Sequence, residues 1–260
     1  MTFELLVAAL NQNTDELPER MRIESDAVIV NQCDRDGSEE ISFGDYSIRV
    51  ISQNLRGVGL SRNAALESAS ADICLFSDED IVYNPGYERK VLEAFDAHPD
   101  ASVIAFNVHV DQRRRTYFNE DVHRIKWNNY GRYPAYAIAV RREDILKNGI
   151  RYSILFGGGA KYSNGEDSLF LHDCLKKGLR MYSDTSVIGE ETYRESTWFH
   201  GYTDKFFFDR GVLFHFLYGK AAGLMGIRFV MKNRNNLPEG RSFKDTYSLI
   251  CDGIKEGKNL

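Results

Sequence analysis

The sequence contains few cysteines, and they form no C-x-x-C pair. Cys33, Cys74, Cys174 and Cys251 are scattered along 260 residues. Cys74 falls in an apolar segment and Cys174 on the apolar face of a predicted helix, so both are expected to be small buried hydrophobic residues. This usage favours reduced thiols and a cytosolic location.

Long apolar runs are missing too. No uncharged run approaches the roughly 18–20 apolar residues needed to cross a bilayer. Glu4 precedes every basic residue and no cleavage-site pattern follows, so no signal peptide is expected. The formal net charge is −5, and no basic stripe is interleaved with aromatic residues, which argues against a nucleic-acid partner.

Two common nucleotide-binding motifs are absent. Without a G-x-x-x-x-G-K-[ST] segment, a P-loop kinase is excluded. The stretch Gly57-Val58-Gly59 has Arg62 where a dinucleotide fingerprint has its third glycine, which makes a NAD-dependent enzyme a poor candidate. Residues 11–13, Asn-Gln-Asn, also lack the glycine-rich basic loop of sugar nucleotidyltransferases.

The residues that are present indicate a soluble α/β protein. Charged residues make up 27% and hydrophobic residues 43%, which is ordinary for a globular chain. Strand and helix signals alternate, which predicts a doubly wound, mostly parallel central sheet with helices on both faces. The predicted strands cover residues 3–10, 27–30, 48–52, 73–76, 103–108 and 136–140; the predicted helices cover 15–21, 59–70, 87–97, 142–148, 166–178, 206–218 and 242–254.

We expect a main domain over residues 1–200 and a helical C-terminal extension over 201–260 that packs on the same domain. Within the main domain, residues 1–110 would form one half and residues 111–200 the other.

A run of carboxylates follows one apolar strand. Residues 73–76 are followed by Ser77 and then by Asp78-Glu79-Asp80, and ligands of open α/β sheets bind beyond the carboxyl ends of strands. Asp78 and Asp80 flank one residue, so both can face a hard cation, Mg²⁺ or Mn²⁺, that also holds phosphate oxygens. The alternative is a solvated acidic turn.

Five segments in this order resemble the family 2 glycosyltransferases, whose fold is called GT-A. They are the strand ending at Ala9-Leu10-Asn11, the turn 31–37 containing Asp34, the segment 57–64 containing Arg62, Asp78-Glu79-Asp80, and the glycines 157–159 before Gly165-Glu166-Asp167. The resemblance implies an inverting, metal-dependent transfer of a sugar from a nucleotide-diphosphate donor, most simply a UDP-sugar. A GT-A-like binding or scaffolding protein without catalysis is the alternative.

The resemblance makes residues 1–110 the nucleotide-sugar half and residues 111–200 the acceptor half. On the donor side, it implies that Asn11, Asp34, Arg62 and Asp78 bind the nucleotide-sugar. Asp80 would be the direct metal ligand, with Asp78 contacting the ribose or the metal. A guanidinium at Arg62 can hold the base or a phosphate. Its alternative is a surface arginine paired with Glu67 or Asp72.

On the acceptor side, Asp167 is expected to be the general base and to act with an ordinary aspartate pKa of about 4. Glu166 would orient the acceptor, and Gly158 on the glycine loop would lie on the acceptor side. The alternative for Glu166 and Asp167 is that they cap a helix. His200 is either a metal or phosphate contact or a packed residue. Trp198 either stacks on a sugar or lies in a core.

An aromatic and basic segment, residues 205–231, has the composition of a membrane-interface helix. The alternative is a helix packed on the edge of the sheet. The sequence therefore predicts a cytoplasmic enzyme of surface polysaccharide or glycan synthesis, at the inner face of the membrane. Its acceptor would be a saccharide or a lipid-linked saccharide.

Overall fold

The computed structural model describes residues 1–112, 115–192, 201–234, 237 and 240–260. Two compact units are present: Met1–Ile154 with Glu166–Arg194, and Leu155–Gly165 with Glu195–Leu260. Each is described separately below.

The first unit alternates strands and helices, as the sequence predicts. Its strands are β1 (Phe3–Leu10), β2 (Ala27–Gln32), β3 (Gly37–Phe43), β4 (Tyr46–Gln53), β5 (Ile73–Asp78), β6 (Ile81–Tyr83), β7 (Val103–His109), β8 (Arg124–Ile125), β9 (Ile138–Arg141) and β10 (Met181–Glu191). Its helices are α1 (Leu17–Met21), α2 (Val58–Ser68), α3 (Tyr87–Ala97), α4 (Arg142–Lys147) and α5 (Glu166–Lys176), with 3₁₀ turns at Tyr130–Arg132 and Ala135–Ala137.

These strands form one mixed, mostly parallel sheet in the order β3-β4-β2-β1-β5-β9-β7-β10-β6, with β8 paired to β10. Strands β4, β2, β1, β5, β7 and β10 share one direction, and β9 runs against its neighbours β5 and β7. Ala8 is level with Asp78 on β5, and Leu10 with Gln32 on β2. The carboxyl ends of β1, β2 and β5 therefore meet at one edge.

The sheet is covered on both faces, which confirms the predicted fold class. Neighbouring side chains of a strand point to opposite faces, so Leu5 and Val7 enter one apolar core while Leu6 enters the other. The first core contains residues of α1 and α3, and the second contains residues of α2, α4 and α5. Cys74 and Cys174 are free and buried in the second core, as expected.

The second unit contains α6 (Asp204–Tyr218), α7 (Ala222–Lys232) and α8 (Phe243–Lys258). Glycines bring α6 and α8 together: a Cβ on Gly211 would lie 2.1 Å from the carbonyl oxygen of Ile250, and one on Gly253 2.0 Å from that of Phe208. We expected only a glycine-broken stretch between α6 and α8. Gly226 instead lets α7 pack on Ile250, because a Cβ there would lie 2.9 Å from the Ile250 side chain.

No helix among the described residues is long and apolar enough to span a membrane.

Candidate functional site

Two polar side chains at the end of β2 organise the neighbouring turns. The Asn31 amide accepts the N–H of Gln12 (3.1 Å) and donates to the Gln12 carbonyl (2.9 Å), which fixes the turn after β1. Gln32 Oε1 accepts the N–H of Gly57 at 2.6 Å and so holds the start of α2 against the strand end. Neither residue was assigned a role from the sequence, although both end an otherwise apolar strand.

The predicted donor-side residues Asn11 and Asp34 lie on solvent-facing turns after β1 and β2. Asn11 has a left-handed backbone with φ of 50°, and its Oδ1 lies 3.5 Å from Arg56 Nη2. Arg56 also donates to the carbonyl of Cys33 at 3.2 Å, one residue before Asp34. The structure thus brings Asn11 and the Asp34 turn together through Arg56, a residue that the sequence did not single out.

Close packing places α2 under the site. A Cβ on Gly59 would lie only 2.2 Å from the carbonyl oxygen of Ser153, so glycine is required for this approach. The Asn63 side chain exchanges hydrogen bonds of 2.8 and 2.9 Å with the backbone of Tyr152. The ring of Tyr152 stacks on Phe170 with centroids 4.3 Å apart and lies 5.1 Å from the guanidinium carbon of Arg62. This platform sets the position of Arg62.

Arg62 is the centre of the site. Its side chain is only 4% exposed, and its two terminal nitrogens donate to carboxylates from different elements. Nη2 bonds Asp78 Oδ1 at 2.9 Å; Nη1 bonds Asp167 Oδ1 at 2.9 Å and lies 3.4 Å from Glu166 Oε1. One guanidinium therefore joins the end of β5 to the start of α5.

The surface alternative for Arg62 is wrong. Glu67 pairs with Arg151, and the Asp72 carboxylate accepts the backbone N–H of Thr2. Arg62 was predicted to bind a base or a phosphate. In the structure its partners are Asp78, Glu166 and Asp167, for which the sequence predicted other roles.

The carboxylates change the acid–base properties of the group. Burial, then the charges of Glu166 and Asp78, raise the pKa of Asp167 to about 7, against the opposing effects of Arg62 and the backbone N–H of Ala135. The expectation of an ordinary pKa of about 4 was therefore wrong. Burial alone would lower the pKa of Arg62, but Asp78 and Asp167 outweigh it and raise that pKa well above its usual value.

The three consecutive carboxylates have different surroundings. Asp78 is 32% exposed and bonded to Arg62. Glu79 accepts the N–H of Leu10 at 2.6 Å and the side-chain amide of Gln12 at 3.1 Å, so it ties β5 to the turn after β1. The backbone carbonyl of Asp80 accepts the N–H and hydroxyl of Thr192, at 2.8 and 2.7 Å.

Asp78 and Asp80 fit a divalent cation by the chemistry of their oxygens. Within the residues that the structure describes, no group of three or more His, Cys, Asp or Glu side chains could hold a metal ion. Mg²⁺ is usually bound by one or two carboxylates together with substrate phosphates and water, and a pair of half-buried carboxylates at a strand end matches that pattern.

Three further residues were predicted from the sequence: Gly158, Trp198 and His200. Gly158 belongs to the second unit, in a loop closed by hydrogen bonds from Gly157 to Tyr162 (2.9 Å) and from Tyr162 to Leu155 (2.9 Å). Trp198 and His200 lie outside the described residues, so their roles stay predictions.

Comparison with solved structures identifies similar folds. The structure of S. aureus TarS 1–349 in complex with UDP-GlcNAc is 16% identical, with a TM-score of 0.63, covering 90% of this chain and 73% of that one. TarS 1–349 in complex with UDP is also 16% identical, with a TM-score of 0.58 and coverages of 96% and 75%. No curated protein sequence matches the chain.

A family model gives the more direct result. The model of glycosyl transferase family 2 matches residues 4–152, more than half of the chain, and that segment contains Asp78, Asp80 and Arg62. The α/β fold with strand-end carboxylates agrees with this match. The chain belongs to glycosyl transferase family 2.

Proposed function

We propose that this glycosyltransferase moves a sugar from a nucleotide-diphosphate donor, a UDP-sugar, to a hydroxyl of a saccharide or lipid-linked acceptor in surface polysaccharide or glycan synthesis. The observation that carries the proposal is the Arg62 bridge, which holds the donor-side Asp78 beside the acceptor-side Asp167. The family match and the similarity to TarS, whose structures contain UDP-GlcNAc and UDP, support a nucleotide-sugar donor.

Asp167 has the properties of a general base. Its carboxylate is 24% exposed, so an acceptor hydroxyl can reach it, and a pKa of about 7 lets it both hold and release a proton near neutrality. Oδ1 is held by Arg62, which orients the carboxylate. Attack by the deprotonating hydroxyl in a single displacement inverts the anomeric configuration, so an α-linked donor gives a β-linked product.

Enzymes of this family commonly use a divalent metal ion, and we assign Asp80 as the direct Mn²⁺ or Mg²⁺ ligand, with Asp78 beside it. Bound there, the cation would neutralise the charge that develops on the diphosphate leaving group. Asn11 and Asp34 would bind the nucleoside on the two turns joined by Arg56. Glu166 and Gly158 belong to the acceptor side, with Trp198 as a sugar-stacking residue and His200 as a phosphate or metal contact.

The catalytic domain in this proposal is residues 1–200, divided into a donor half, 1–110, and an acceptor half, 111–200. Residues 201–260 form the helical extension.

The decisive test is a thermal-shift panel of nucleotides and nucleotide-sugars with and without Mn²⁺, followed by measurement of UDP release. A ligand that binds the folded state raises the melting temperature by mass action. We expect UDP and one UDP-sugar to stabilise wild type with Mn²⁺, UDP to be released on addition of acceptor, and Asp80→Ala to lose both effects. Full activity in excess EDTA would contradict the metal assignment. Stabilisation without any turnover would favour the non-catalytic binding protein.

The second unit carries features that support a membrane location. On α7, Leu224 and Met231 are 69% and 61% exposed, and Arg228 and Lys232 are exposed with them. The sequence contains no aspartate or glutamate from residue 211 to 238. An apolar and cationic surface without carboxylates is complementary to an anionic lipid surface. We propose that α7, which overlaps the end of the segment 205–231, contacts the inner face of the membrane.

Flotation with vesicles tests this location. We expect binding to phosphatidylcholine vesicles that contain phosphatidylglycerol, and none to phosphatidylcholine alone. Arg228→Gln with Lys232→Gln should weaken binding about 30-fold, since each cation near an anionic surface contributes about 1 kcal/mol. Lys176→Gln with Lys177→Gln removes the same charge from the end of α5 and should have no effect. Equal losses in both pairs would contradict a specific role for α7.

A further inference from the structure

Trp127 is a large aromatic residue that the fold leaves open to solvent. Its side chain is 57% exposed, although neighbouring Ile125 and Tyr130 are buried. The turn that carries it is fixed: Asn129 Oδ1 accepts the N–H of Lys126 at 2.6 Å, and the Lys126 carbonyl accepts the N–H of Tyr130 at 3.1 Å. The indole is therefore presented on a rigid support, and ordering this turn costs little when a ligand binds.

Two rings orient the indole from below. Trp127 contacts Tyr130 edge to face with centroids 6.0 Å apart, and His172 in the same manner at 5.3 Å. His172 lies on α5, and its Nδ1 is 3.3 Å from the carboxylate of Asp173. The indole therefore lies beside the imidazole of His172 and the carboxylate of Asp173.

The segment that follows Trp127 runs beside α5 toward its amino end. Trp127 contacts His172 on α5. Four residues later, Gly131 lies close to Ser168, since a Cβ on this glycine would be 3.9 Å from Ser168 Oγ. The N–H of Ala135 then donates a hydrogen bond to Asp167. From His172 to Asp167 is five residues, about 7.5 Å along the helix at 1.5 Å per residue. Gly131 is exposed and adds no side chain between the two ends. Gly131, which is exposed, and Ser168 and His172, which are partly exposed, therefore lie between Trp127 and the proposed base.

We propose that Trp127, Gly131, Ser168 and His172, here called the Trp127 surface, bind a sugar ring of the acceptor next to the one that reacts. This assignment rests on the proposed function, since it takes Asp167 as the position of the reacting hydroxyl. The C–H face of a pyranose is apolar and packs on an indole, while its hydroxyls bond polar groups around the ring. The ligand class is an oligosaccharide or the glycan part of a larger acceptor.

The position of Trp127 is what separates it from other exposed apolar residues. Single exposed hydrophobic side chains are common on soluble proteins and need no function. Val122, on the same segment, is 47% exposed, and its aliphatic side chain offers no ring on which a sugar face could pack. Trp127 combines exposure, a fixed turn and neighbours that extend toward Asp167, and Val122 serves as the matched control.

Calorimetric titration with chitohexaose, cellohexaose, maltohexaose and mannohexaose tests the surface. We expect wild type to bind at least one of these glycans. Trp127→Ala should weaken binding about tenfold or more, the effect of removing a central aromatic anchor. Trp127→Phe should retain most of the affinity, and Val122→Ala all of it. Because Trp127 is 57% exposed and contacts the fold through two rings, the melting temperature of Trp127→Ala should fall by no more than about 2–4 °C.

Absence of binding by wild type to all four glycans, or equal binding by Trp127→Ala, would overturn the proposal. Hydrolysis of the nucleotide-sugar without acceptor separates this result from the proposed function. That hydrolysis should be the same in wild type and Trp127→Ala, because the donor site is unchanged. Glycan binding that depends on Trp127, in a protein with no donor turnover, would refute the proposed function and leave the sugar site standing.

Discussion

Each compact unit contains an arginine whose guanidinium is largely removed from water, and the two arginines have different partners. Arg62 in the first unit bonds Asp78 and Asp167 and lies beside Glu166, and these carboxylates raise its pKa. Arg210 in the second unit lies over Phe206 at 5.2 Å and Phe229 at 5.4 Å, and burial lowers its pKa. Among the residues that the structure describes, no carboxylate forms an ion pair with Arg210.

The difference shows what each region requires of a cation. At Arg62, the guanidinium offsets the repulsion among carboxylates that would otherwise move apart, and it fixes their geometry. At Arg210, the aromatic faces provide a weaker attraction, and the neighbouring buried carboxylate of Asp209 pairs with Lys205 instead. The first arrangement suits positioned chemistry, whereas the second suits an apolar helical unit with a cationic surface.

The largest effect is expected at the base in the Arg62 group. Asp167→Asn keeps the size of the side chain but cannot take a proton, so transfer to acceptor should fall by at least about 100-fold, the low end for general-base loss. Donor binding, measured by thermal shift, should remain. Asp96→Asn on the exposed face of α3 is the control and should be fully active. A near-normal kcat in Asp167→Asn would mean that the carboxylate only caps the helix and is not the general base.

The second largest effect is expected on the stability of the fold when Arg62 is replaced. Arg62→Met leaves three carboxylates without their cation, and we expect a loss of about 3 kcal/mol, the low end for a broken buried pair because the carboxylates are partly exposed. The melting temperature should fall by roughly 6–12 °C for a chain of this size, as calorimetry would show.

Arg151→Met provides the control for that change. Its guanidinium pairs with Glu67 on the surface, so the loss should stay below about 1 kcal/mol. Equal effects of Arg62→Met and Arg151→Met would mean that the Arg62 bridge does not hold the carboxylates together.

The pH dependence sharpens the same comparison. With the pKa of Asp167 raised to about 7, the free enzyme has an ionised base above that pH, so kcat/KM should fall about tenfold per pH unit below it. The raised pKa also means that the folded state retains this proton between about pH 4 and 7. Its stabilising contribution is present below the unfolded pKa and is lost as pH rises to about 7. A rate independent of pH from 5 to 8 would contradict the assignment.

The smallest effect is expected at the second arginine. Arg210→Met loses two cation–π contacts but also removes a cation from an apolar setting, and these changes offset each other. We expect the free energy of unfolding to change by less than about 1 kcal/mol. A loss as large as that of Arg62→Met would reveal an anionic partner for Arg210 and remove the contrast between the two regions.

Local patterns predicted much of the fold because burial repeats along short segments. Residues 87–97 were predicted as a helix and form α3 with the same bounds, since Val91, Ala94 and Phe95 follow one face. Strands β3 and β10 were missed for opposite reasons. β3 is almost wholly exposed and exists through pairing with β4, whereas β10 is long, polar and interrupted by irregular register.

The sequence by itself determined the fold class and the carboxylates that follow a predicted strand, because these depend on residue types at short spacing. The resemblance to family 2 glycosyltransferases singled out Arg62 and Asp167. Only the tertiary structure decided that Arg62 bonds Asp167, 105 positions away, that Glu79 ties two strand ends, and that Trp127 stays exposed beside α5. It also decided the pKa of Asp167, since burial and three neighbouring charges set that value together. Pairings between distant segments follow from how helices and strands pack, and no short window of sequence contains that information.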